Sequence, residues 1–232
     1  MCIRDRVAAI YFMWPRERAT PAQAAATGYL NQLAEGWRYA LARQHLRAAV
    51  IFAGIGALAG RSVLETLPIL ANGVFGQGPS GLGYMTAAAG AGAAAASIFK
   101  AVSRPQIPGE FQPQILAMPV IIPLLVAAFA MIGDFATAVA AVALVGATVT
   151  LMSISLQSTV QMEIEDQYRG RVMGLWTTIS IGSGAAGAVL MGFLVDLVGV
   201  APAQLMIGLV LAAASILVLL LFRRGLSQPD AR

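Results

Sequence analysis

Arg61 and Glu65 are the residues of this chain best placed to do chemistry: opposite charges, one helical turn apart, in the middle of an apolar stretch. A charge at the centre of a membrane span costs roughly 2.5–3.5 kcal/mol on insertion scales, so such groups normally face a protein interior or a water-filled cavity. Two readings follow. The pair is either self-neutralised and buried for packing, or it faces a cavity, with Glu65 as a proton-linked acid and Arg61 as its partner or as a contact for an anionic substrate. Further along, Gln157 with Thr148, Ser155 and Thr159, and Trp176 with Thr177, Ser180 and Ser183, are candidates to line a polar path with Trp176 as its aromatic wall. The alternative is that these hydroxyls bond their own backbone carbonyls one turn back. Asp166, Arg169 and Arg171 pack opposed charges into a turn that opens a helix, a candidate latch between helix ends. The alternative there is a solvated loop, worth under about 1 kcal/mol.

No nucleophile, base and orienter set can be made out, and no phosphate-cradling glycine loop follows a strand. One His and one Cys allow neither a His/Cys metal cluster nor an internal disulfide. The chain is therefore not read as an enzyme, and no cofactor or metal is expected.

The elements that must position these residues are membrane spans. Soluble chains are about 45–50% apolar and about 25% charged; this one is 58% hydrophobic and 11% charged, with a mean hydropathy of +0.75. Six stretches are long enough to cross a bilayer, at 47–70, 81–102, 114–133, 136–160, 171–195 and 203–222. All must be helices, because backbone groups in hydrocarbon have no water to bond and the alternating pattern of a closed barrel is absent. The fold class is thus an all-α membrane protein, a six-helix transmembrane bundle. Of the 15 Lys and Arg residues, all but Arg61 fall where alternate threading leaves them on one side, which sets that side as cytoplasmic, with the C-terminus. The sequence pI of about 9.7 does not imply nucleic acid, since the cations are dispersed over several loops; membrane lipid is the expected partner.

Flanking segments divide the chain further. Residues 1–14 carry an apolar piece, Val7 to Trp14, too short to span, and are read as the end of a preceding span behind a doubtful start. Residues 15–45 are read as a cytoplasmic linker whose Tyr29, Leu33, Trp37 and Leu41 recur at helical spacing, an interfacial helix with Arg38, Arg43 and Arg47 toward lipid headgroups and His45 at the surface. Residues 46–222 form the six-helix domain and 223–232 a cytoplasmic tail. Small residues run down two spans: Gly83, Ala87, Gly90, Ala94 and Ser97 in the second, and Ser180, Gly184, Ala188 and Gly192 in the fifth. Such stripes allow helices to approach closely in lipid; the alternative is small apolar filler. Pro119 and Pro123 interrupt the third span, where a kink is expected, and Asp134 and Asp196 are read as turn and interface charges.

The segment Gln161-Met-Glu-Ile-Glu-Asp-Gln-Tyr-Arg-Gly-Arg-Val-Met-Gly-Leu-Trp176, with Leu156 to Val160 before it, resembles the loop between helices ten and eleven of major facilitator superfamily transporters. It is most similar to the enterobactin-exporter-like, or transmembrane secretion effector, subgroup. Gly36-Trp-Arg-Tyr-Ala40 with Leu46-Arg47, Leu67-Pro-Ile-Leu70, and Gly76 to Thr86 resemble that subgroup's start of helix seven and its seven-to-eight turn. The likeness covers residues 30 to 222.

What the resemblance implies is a secondary transporter of the bacterial inner membrane. It would export a small amphipathic or siderophore-like molecule by alternating access, driven by proton exchange. This chain would be the carboxy-terminal half of a twelve-helix fold, partnered by an amino-terminal six-helix half. Lys100 to Phe111 (KAVSRPQIPGEF) lacks the family's Gly-x-x-x-Asp-Arg-x-Gly-Arg gating pattern, so Lys100 and Arg104 keep only part of that cytoplasmic gate. A non-transporting membrane scaffold and an inactive half-transporter are the alternatives.

Overall fold

The computed structural model describes residues 36–39, 41–103 and 113–226, side chains excepted at 113–115 and 223–226. The first 35 residues, Arg104 with the rest of its loop, and residues 227–232 lie outside the described residues, and with them most of the expected linker and tail. Every described element is helical: α1 (Gln44–Ile69), α2 (Gly78–Val102), α3 (Pro113–Phe129), α4 (Phe135–Glu163), α5 (Arg169–Val198) and α6 (Val200–Leu226). A π-turn at Leu70–Val74 ends α1, and a single 3-10 turn at Asp166–Tyr168 precedes α5. The six-helix bundle expected from hydropathy is present. Five of its helices are long and apolar enough to cross a membrane, while the apolar part of α3, Leu116–Phe129, is shorter.

Alternate threading puts the starts of α1, α3 and α5 at one end of the bundle with the finishes of α2, α4 and α6. This end carries Arg43, Arg47, Lys100, Arg169 and Arg171, and is called the basic end below. At the opposite end the chain reverses tightly. Gly76 and Gly78 take φ of +63° and +62°, and Gly199 takes +86° as it closes α5, a left-handed backbone that a side chain would strain. Asp134 caps α4 by accepting from the Thr137 N–H at 2.8 Å. That bond holds its carboxyl below the ordinary carboxylate range.

The helices pack as three close pairs, α2 on α4, α1 on α5 and α3 on α6, and α1 touches all five others. Each pair meets backbone to backbone at a glycine. A methyl at Gly92 would enter the Ala143 carbonyl, and one at Gly146 the Ala89 carbonyl, so α2 and α4 cross through reciprocal notches. A methyl at Gly187 would stand 2.7 Å from the Leu58 carbonyl oxygen, and one at Gly208 2.6 Å from that of Pro123. In lipid no hydrophobic force draws helices together, so this contact-range approach supplies the attraction.

The core lies around α1, with Phe52, Val63 and Leu67 packed against Val126, Val142, Met152 and Leu156. Two of its buried polar side chains bond across helices. Gln204 on α6 donates to Thr66 Oγ1 on α1 at 2.9 Å. Pro123 has no N–H to give the Pro119 carbonyl, and Ser215 on α6 donates to that oxygen instead, at 2.7 Å. The carbonyl that Pro123 leaves without its helical partner is therefore bonded from the neighbouring helix. α3 ends at Phe129, four residues before the expected 133, because its last turn tightens into i→i+3 bonds from Ala130, Met131 and Ile132.

Gly92→Ala and Gly146→Ala should each destabilise the protein by about 1–3 kcal/mol through overpacking, read as thermal unfolding in detergent. Gly83→Ala and Gly90→Ala meet open space within 4 Å and should stay within about 0.5 kcal/mol of the parent. Ser215→Ala, which orphans a buried carbonyl, should cost about 1–3 kcal/mol by the same measurement.

Candidate functional site

The pitch of α1 places Arg61, Leu64 and Glu65 on its one open face, opposite buried Ser62, Val63, Thr66 and Leu67. Here Arg61 Nη2 meets Glu65 Oε1 at 2.7 Å, with about half of each side chain exposed. The face opens onto a groove of about 960 Å³ at mid-height of the bundle. α1 and α4 contribute its floor, where Val63, Val142 and Val145 are buried, and α2 and α5 flank it. The walls are small: Ala57, Gly60, Ala89, Gly90, Ala93, Gly146, Gly184, Ala185 and Ala188 leave room beside the backbone. Four polar side chains reach the lining, Arg61, Thr86, Thr150 and Ser180. The hydroxyl proton of Thr86 is committed to the Leu82 carbonyl at 2.7 Å.

Among the residues expected from sequence, Arg61 and Ser180 line this groove and Glu65 adjoins it through the ion pair. Gln157, Trp176 and Thr177 are not in its lining. Trp176 is 6% exposed within the hydrophobic core, Gln157 is half-buried farther down α4, and exposed Thr177 donates to the Met173 carbonyl at 3.0 Å. From the small-residue stripes, Gly90, Gly184 and Ala188 line the groove. Gly83, Ala87, Ala94, Ser97 and Gly192 lie exposed elsewhere on α2 and α5. The contacts of α2 with α4 use Met85, Ala89, Gly92 and Ala96 instead, two residues on from the stripe. Thr86, Thr150 and Gly146 belong to the groove and carried no sequence signal beyond helical register.

A second cluster closes the basic end. Tyr39, just before α1, stacks on Tyr168 of the α4–α5 turn with ring centroids 4.3 Å apart. The Arg43 guanidinium lies 4.4 Å over the Tyr39 ring, pairs with Glu165 at 2.5 Å and donates to the Glu163 carbonyl at 3.3 Å. The Glu165 N–H donates to the Tyr39 hydroxyl at 3.3 Å. Gly36 lets the chain run against Arg171, whose Cβ would stand 3.2 Å from an added methyl. This clamp of Tyr39, Arg43, Glu165 and Tyr168 was not singled out in the sequence. The expected latch pair, Arg169 and Asp166, is present but exposed and looser, at 3.4 Å. Lys100 stands in the last turn of α2.

Two expectations about the linker are corrected. Arg43 is drawn into the clamp, and Arg47 lies 4.6 Å over the Phe222 ring, so neither is simply held out to headgroups. His45 is 7% exposed, buried where α1 begins, because the helix turns that side to the core beside Leu46 and Ala49.

The Glu165 carboxyl is held below the ordinary carboxylate range, first by Gln167, which donates to Oε2 at 3.0 Å, and then by Arg43. A lowered pKa means the clamp is complete at neutral pH and loosens only as pH falls through that lowered value. Among the described residues no group of three or more His, Cys, Asp or Glu is placed to hold a metal.

The family described as transmembrane secretion effector matches residues 3–230. No curated protein and no solved structure matches the chain.

Hydrogen exchange of amides 163–169 should speed up in Arg43→Gln and in Glu165→Gln, and change little in Arg169→Gln. Equal protection in Arg43→Gln and the parent would remove the clamp's role in holding this turn.

Proposed function

The chain belongs to the transmembrane secretion effector family of major facilitator transporters, and from that we propose that it is one six-helix half of a secondary transporter working by alternating access. Its substrate site is the groove at Arg61. The observation that carries this reading is a charged pair held at mid-span on an open, small-walled face instead of inside the core. Ionisable groups in that setting mark substrate or ion pathways. Glu65 is the proton-linked acid, and the cargo is a small amphipathic or siderophore-like molecule moved outward.

The basic end faces the cytosol of a bacterial inner membrane by the positive-inside rule, which puts the Tyr39–Arg43 clamp on the cytosolic side. A companion six-helix half would cover α2 and α5. Only 11% of the most apolar window of each is buried within this chain, against 50% for α1. The stripe of Gly83, Ala87, Ala94 and Ser97 then faces that companion, where small side chains let two rocking halves slide. Lys100, at the same cytosolic end, acts in the gate together with Arg104.

Flux across proteoliposomes containing the protein and its companion half tests the reading. Glu65→Gln should lower flux driven by a pH gradient by about tenfold or more, the loss of one interaction of about 1.4 kcal/mol, while exchange without a gradient persists. Unchanged gradient-driven flux would exclude Glu65 as the proton site. No flux in the parent would favour a scaffold.

A further inference from the structure

We infer that the groove takes a permanently or readily ionised amphipathic anion, and that this anion and a proton bind together rather than in exchange. The inference rests on the groove being the transport site. Arg61 is among the lining residues and Glu65 is not. The guanidinium has five N–H donors and no acceptor, and Glu65 is engaged at one nitrogen, Nη2. The charged wall of the groove is therefore a donor wall, and the complementary ligand carries an acceptor with negative charge. Apart from the hydroxyls of Thr86, Thr150 and Ser180, the rest of the lining is Ala, Gly, Val, Leu and Ile, with no aromatic ring. That suits an aliphatic body laid along backbone and methyl groups rather than a stacked ring.

An anion reaching Arg61 must compete with the Glu65 carboxylate for the same cation. Protonating Glu65 removes the competitor, so proton binding strengthens anion binding, and by reciprocity the anion promotes protonation. A cationic ligand would do the reverse, taking Glu65 from Arg61 and competing with the proton. Charge of the ligand and sign of the proton linkage are thus one property of the site. No other charge intrudes on the pair. Among the described residues, the charged groups of α2, α4 and α5 are Lys100, Glu163, Arg169 and Arg171 at the basic end and Asp196 near the opposite end, and α3 has none. The two arginines of α6, Arg223 and Arg224, fall in its last turn. Tyr84, the one tyrosine of α2, is outward and exposed. An outward step would then carry anion and proton together with no net charge, driven by accumulation of the acid inside the cell.

Equilibrium dialysis of the protein in lipid nanodiscs, with empty nanodiscs subtracted, tests this using 1-octanesulfonate and octyltrimethylammonium, whose charges do not change with pH. Saturable octanesulfonate binding should be tighter at about pH 6 than at about pH 8, by no more than about tenfold per pH unit, the limit for uptake of one proton. In Glu65→Gln, which keeps an acceptor for Arg61, binding should stay tight and lose its pH dependence. In Arg61→Gln/Glu65→Gln, which removes both charges and leaves neither unpaired, it should fall by about tenfold or more. Preferential retention of octyltrimethylammonium, anion binding that weakens on acidification, or no saturable anion binding would overturn the inference. Arg61-dependent anion binding without flux in proteoliposomes would overturn the transport reading and leave the site standing; flux with no preference for the anion would do the opposite.

Discussion

Direct backbone contact between helices is the interaction on which this bundle depends. Water does not press apolar helices together when lipid is the surrounding medium, so cohesion must come from dispersion at close range and from hydrogen bonds that cross between helices. Gly92 with Gly146, Gly187 and Gly208 place that contact once in each of the three close pairs. Two buried cross-helix bonds, Gln204 to Thr66 and Ser215 to Pro119, start from α6 and end on α1 and α3. α1 is consequently held by its neighbours except along one open face, where the chain carries a mid-membrane charge.

That arrangement explains how a costly pair is tolerated. Arg61 and Glu65 each keep about half of their side chain exposed while neutralising each other, so neither is stranded in a dry interior. The small residues across from them leave volume without adding acceptors. The clamp at the basic end works with different materials, stacked rings and a guanidinium set over one of them, and ties the approach to α1 to the turn between α4 and α5. The two clusters sit at opposite ends of the same problem: one keeps a polar feature inside lipid, the other keeps helix ends together where water competes for every charge.

Hydropathy made the spans legible, since an unbroken run of about 20 apolar residues matches the thickness of the hydrocarbon layer and exceeds what a soluble core helix needs. The i,i+4 spacing made Arg61 and Glu65 legible as a pair. Pro119 and Pro123 were legible as breaks in the hydrogen bonding of α3. Which face of α2 packs was not legible, because small residues surround that helix. The stripe at Gly83, Ala87, Gly90 and Ala94 and the packed set at Met85, Ala89, Gly92 and Ala96 differ by two residues, about 200° around the axis. The hydroxyls misled for a related reason: Thr177 satisfies itself on its own helix, and Trp176 is apolar bulk before it is a wall. Tyr39, Arg43, Glu165 and Tyr168 meet across more than 120 residues of chain, a juxtaposition that only the closure of α1 against α4 and α5 creates.

The bond from Ser215 to the Pro119 oxygen has a mechanical consequence. A proline bend with a bare carbonyl is soft, because flexing it exposes nothing that was not already exposed. Here the oxygen is already spoken for by α6, and Gly208 is seated against the same stretch of α3. Bending α3 alone would break that bond in a medium with no substitute donor. α3 and α6 therefore act as a single bolted strut, and any rearrangement of the bundle has to carry them as one piece while the looser flanks of the groove shift around them.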